Sequence, residues 1–163
     1  MLINNARRAA VTFALVLFAI PAAQAQTATQ TATFAVNAIN QIAFVGAPSL
    51  TITTAVAGSA PTSVTDALST WAVTTNQSTA KITASIASNM PAGLTLSSTL
   101  AAPAGATSAG IKALSTVAVD MVTVITKVAQ GALGVTYQLD ATPAAGVITS
   151  TTRVVTYTIT GGS

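Results

Sequence analysis

The chain has 163 residues, 51% of them hydrophobic and 6% charged, with a formal net charge of +3 and neither Cys nor His. Glu is absent as well, so disulfide staples, Cys/His zinc sites and any triad built on an imidazole or a thiolate have no members here. Six scattered cations also make no clustered basic surface of the kind that displaces counterions from nucleic acid.

At the N-terminus, Arg7 and Arg8 precede an apolar run from Ala9 to Ile20, then Pro21 and the small-residue step Ala23-Gln24-Ala25. This is the pattern of a secretory signal peptide over residues 1–25, cleaved to leave Gln26 first; the run is too short for a membrane span. The remainder, residues 26–163, then carries Lys81, Lys112, Lys127 and Arg153 against Asp66, Asp120 and Asp140, a net charge of +1. Thr fills 28 of its 138 positions, and Thr and Val suit an extended backbone because they branch at Cβ. No second long apolar segment follows, so a secreted protein with no membrane span after cleavage is expected.

Thr27 to Val45 reads as one long strand. Ala28, Ala32, Phe34, Val36 and Ala38 share one parity and Thr27, Thr29, Thr31 and Thr33 the other, the period-two signature of a half-buried strand. Shorter alternating runs follow, separated by turn residues: Leu50 to Thr53, a loop from Gly58 to Ser63, Leu68 to Thr74, the turn Asn76-Gln77-Ser78, then Lys81 to Ile86. Asn89-Met90-Pro91-Ala92-Gly93 breaks the pattern before Leu94 to Leu100, and Pro103-Ala104-Gly105 ends that strand. Ile111 to Val128 reads as two short strands with a turn near Asp120. Val135 to Leu139 runs into the turn Pro143–Gly146, and Arg153 to Thr160 is a final strand with Gly161-Gly162-Ser163 fraying after it. Short strands punctuated by turn clusters predict an all-β fold, a single antiparallel β-sandwich of Ig-like or jelly-roll-like type, over residues 26–163.

Little in the chain suggests a reaction. No Ser sits in a recognisable motif beside a Lys, and no DxDxDG-like loop gathers the three Asp residues for calcium, so turn and capping roles are expected for them. The expectation is a protein that is not an enzyme and has no cofactor or metal. Trp71 is the one residue singled out for ligand stacking, against the plainer reading of a core ring on an alternating strand. Asn76-Gln77-Ser78 fits a glycosylation acceptor but reads first as a turn.

The exported, cysteine-free, Thr/Ala-rich domain, with the strand Thr27 to Ala38 freed at its N-terminus and a last strand ending Thr156-Tyr157-Thr158-Ile159-Thr160, resembles subunits of extracellular fibres assembled by donor-strand complementation. It looks like TasA-like matrix fibre proteins and archaeal bundling pilins and, more distantly, spore-coat-U-type chaperone-usher pilins; unlike many of the last group it has no Cys and continues past its Tyr-containing strand. The resemblance implies a structural subunit of a cell-surface filament or pilus. Residues 26–38 would be the donor strand, with Ala28, Ala32, Phe34, Val36 and Ala38 as the subunit interface. The implied partners are other copies of the chain, with an assembly chaperone or outer-membrane machinery. The competing expectation is a secreted adhesin or carbohydrate-binding β-sandwich module, for which exposed aromatics are needed.

Overall fold

The computed structural model describes residues 24–162; the signal-peptide reading, as far as Ala23, lies outside them. The described residues fall into two units divided between Ala35 and Val36. In the first, residues 24–35 form no strand and are exposed throughout. The second is the compact body, and all of the strands below belong to it.

Nine strands follow in order: β1 Asn40–Val45, β2 Val64–Thr75, β3 Ala80–Ile86, β4 Leu94–Leu100, β5 Thr107–Ser108, β6 Lys112–Ala113, β7 Val119–Ile125, β8 Val128–Ala141 and β9 Val155–Thr160. They pair antiparallel in two sheets, one ordered β1-β2-β8-β4-β6 and the other β5-β7-β3-β9. Alternate residues of each face inward. Trp71 and Val73 of β2, Leu96 and Leu100 of β4, and Leu133, Val135 and Tyr137 of β8 meet Ile82, Ala84 and Ile86 of β3 and Met121, Val122 and Ile125 of β7 in one core. Two antiparallel sheets enclosing one core make the body all-β and sandwich-like, as its sequence rhythm predicts.

Thr27–Val45 is not one strand. Only Asn40–Val45 has a ladder, because Asn40 already pairs with Thr75, the last residue of β2, and the chain turns away after it. The pattern continues upstream, but the partner has ended. Leu50 to Thr53 lacks a ladder for a related reason. Gly46, at φ 119°, turns the chain out of β1 where a Cβ would stand 2.5 Å from Ser69 Oγ, and the run beyond joins neither sheet.

Asp120 is not at a turn. It lies inside β7 opposite Thr83, and its carboxylate meets Lys81 Nζ at 3.0 Å on the surface, a pair worth at most about 1 kcal/mol. Register shifts along β3 and β7 let the neighbours Met121 and Val122 both face the core, which hides the strand from a strict period-two reading. Gly161 and Gly162 are packed rather than frayed, since a Cβ on either would collide with Gln77 or Ser78.

β8 carries a bulge where the register slips between Trp71 and Val73, and Ala132 there sits at φ 55°. Ala132→Gly removes a left-handed alanine at an exposed site. Part of the gain is returned as unfolded-chain entropy, leaving a net stabilisation of about 0.5–1 kcal/mol, seen as a higher denaturant midpoint. An unchanged or lower midpoint would contradict the strained conformation.

Candidate functional site

The two flanks of the sandwich are built differently. On one, residues 101–118 cross between the sheets and tie them together through the backbone. Ala101 N–H donates to Gly134 O, Ala109 N–H to Met121 O, Leu114 N–H to Leu96 O, and Ser115 O accepts from Ile86 N–H. The short strands β5 and β6 sit on that flank as its edge pieces.

The other flank is bounded by β1 and β9, two six-residue edge strands each paired on one side only. No ladder joins them. Their half-buried apolar side chains Ile42, Phe44, Val155, Tyr157 and Ile159 pack against the core, and Phe44 stacks on Tyr157 with ring centroids 4.0 Å apart. Behind the stack, the Tyr157 and Tyr137 hydroxyls share a hydrogen bond of 2.9 Å, and Ser98 Oγ lies 3.1 Å from Tyr157 Oη. Burial, with the bond to Tyr157, raises the Tyr137 phenol far above its ordinary value, and burial raises Tyr157 too.

Beyond the Val45 end of β1 this flank opens into a cleft of about 790 Å³. One wall is the run 48–54, with Leu50 and Ile52; the other is the run 147–154 that leads into β9, and neither belongs to a strand; Met90, Tyr137 and Leu139 line the cleft as well. Residues 50–53 and 147–151 make no backbone–backbone hydrogen bond, so both walls present N–H and C=O groups that the chain itself does not pair. Among the ionisable side chains that line it, Arg153 is engaged with Asn89 O, Thr152 O and Thr151 Oγ1, and the other is Tyr137.

At the opposite end of β1, Asn76 clamps the entry to the body. Its Oδ1 accepts from Ile39 N–H at 2.8 Å and its Nδ2 donates to Asn37 O at 2.7 Å. The side-chain nitrogen that a glycan would need is thus holding the chain at Asn37. Upstream, the candidate interface residues lie outside any strand: Ala28, Ala32 and Ala38 are exposed, Phe34 is 90% exposed and Val36 80%. Five uncharged residues of one parity therefore stand in solvent without a sheet.

Trp71 lies elsewhere, in the middle of β2 and 1% exposed. Phe44 is stacked near it at 6.0 Å, and its indole N–H donates to Ala101 O at 3.1 Å. With both faces inside the core it offers no platform for a sugar, so the stacking role is corrected to a packing one. The three Asp residues stay apart: Asp66 accepts from Ser49 and Leu68 N–H, Asp140 from Ser63 Oγ and Gln138 Nε2, and Asp120 pairs with Lys81. Among the described residues no three acidic or ligating side chains gather. The open flank and end cleft were beyond sequence reasoning, because their residues come from five separated segments. Comparison with protein-family models, with curated proteins and with solved structures finds no match to this chain.

Proposed function

We propose that the chain is a secreted structural subunit of an extracellular filament, polymerising head-to-tail by donating residues 26–38 as a β-strand to a neighbouring copy. The observation that carries this reading is the exposed, unpaired alternation of Ala28, Ala32, Phe34, Val36 and Ala38. A face of that length, apolar but for Gln30, is what a strand buries, and a chain that leaves it in water has a partner to find. The flank bounded by β1 and β9 also carries no charge or Pro on either edge strand, the features by which edges bar a further strand. The adhesin reading draws less support, since the aromatics of the body pack in or against its core.

Negative-stain electron microscopy of residues 26–163, beside the same protein lacking residues 26–35, tests the proposal. The deletion keeps the Asn37–Asn76 clamp. Filaments are expected from the longer chain and dispersed folded monomers from the shorter one. Filaments of ordinary length from the truncated chain would refute it.

A further inference from the structure

We infer that the end cleft between residues 48–54 and 147–154 is the acceptor, and that its occupant is the segment 27–36 of a second copy. This rests on the strand-donation reading and adds the place and polarity of the contact.

The walls make the first argument. Both lie outside the sheets, and residues 50–53 and 147–151 make no backbone hydrogen bond within the chain, so an extended segment laid between them would find hydrogen-bonding groups on either side. The lining makes the second. Leu50, Ile52, Met90, Leu139, Ile148 and Val155 present apolar surface, and Arg153 is already engaged. A charged peptide would be desolvated there without a counter-ion, whereas residues 27–36 carry no charged side chain. Their period-two parity would put Ala32, Phe34 and Val36 toward the apolar floor, with Gln30 on the same side nearer the segment's start, while the threonines face out.

Position makes the third. The clamp at Asn37–Ile39 is at the Asn40 end of β1, and the cleft lies past the Val45 end, about 17 Å further along the strand. A subunit that donates from one end and accepts at the other makes a heterologous contact, which propagates as an open filament instead of closing as a dimer.

The absence of Cys makes the test clean. Phe34→Cys is combined with Ile52→Cys or with Ile148→Cys, one for each wall, in the full mature chain, and the oxidised product is run on a non-reducing gel. A control pairs Phe34→Cys with Val124→Cys, an exposed site at the far end of β7. The expected result is a ladder of covalent multimers from at least one cleft pair, none from the control, and its collapse to monomer on reduction. Filaments by electron microscopy with no ladder from either cleft pair would overturn the acceptor site and leave strand donation standing. A fast-migrating monomer in place of a ladder would mean the segment fills its own cleft, which overturns the inference too. No filaments from the unsubstituted chain would remove the functional reading itself. Should the Cys pairs fail to fold by circular dichroism, Ile148→Asp on the rim serves instead: loss of filaments with an unchanged Tm is expected, and filaments that persist refute the site.

Discussion

Trp71→Ala lowers the unfolding free energy by about 3–5 kcal/mol, the range for deleting a large buried aromatic side chain. The ring is 1% exposed at the centre of β2, between the two sheets, and its loss leaves a cavity that the flanking strands, held in register by β8, collapse into only partly. Two further terms add to the cavity. The Ala101 carbonyl loses the indole donor at 3.1 Å, about 1 kcal/mol, and Phe44 loses a stacked neighbour at 6.0 Å. Ala101 begins the segment that closes the tied flank, so the damage reaches the crossover between sheets as well as the core. Against a total stability of about 5–15 kcal/mol, such a loss leaves a marginal protein at best. Denaturant unfolding followed by circular dichroism is the measurement, since the only Trp is the one removed. Trp71→Phe, which restores most of the ring's volume but not the N–H, should recover a large part of the loss. An unchanged midpoint for Trp71→Ala would mean the ring is peripheral and would reopen the ligand-stacking role.

The same residue shows how far the sequence can be read. An apolar ring on an alternating run is legible as core, and so are the bounds of β4, where Pro91 and Gly93 stop the chain before Leu94 and Pro103 and Gly105 stop it after Leu100. Local chemistry marks those limits. Where a limit is set by a partner strand it is invisible: the pattern of 27–45 gives no hint that β2 runs out opposite Asn40. Bulges hide strands in the same way, because they break the period that reveals them. The shifted register makes β7 read as broken at Asp120, and Gly131, Ala132 and Gly134 make β8 read as no longer than Val135–Leu139. The candidate site divides along the same line. The alternation of Ala28 to Ala38 is local and can be seen in one pass, whereas the cleft joins residues almost a hundred positions apart and exists only once the sheets have packed.

Alkaline pH should destabilise the body steeply through the tyrosine pair behind the open flank. Tyr137 and Tyr157 hold their phenolic protons more tightly when folded than when unfolded, chiefly because burial penalises the phenolate and, for Tyr137, because of its bond to Tyr157. Below about pH 10 both states are protonated and pH makes no difference through these groups. Above it the unfolded chain releases protons that the folded one retains, so the unfolded state is favoured as pH rises. For Tyr137 the slope approaches about 1.4 kcal/mol per pH unit, roughly 1 kcal/mol lost between pH 10 and 11, and Tyr157 adds to the fall in the same direction. Urea midpoints measured from pH 8 to 11 should therefore be flat and then fall. Tyr137→Phe should remove a large part of that fall. A variant that tracks the parent across the whole range would mean that the hydroxyls ionise freely in the folded state. Tyr137 also lines the end cleft and Tyr157 stacks on Phe44 across the seam between the sheets, so the protons that hold the flank together are those next to the proposed acceptor. Loss of filaments above pH 10 that follows the fall in monomer stability, and that Tyr137→Phe delays, is the outcome this placement requires.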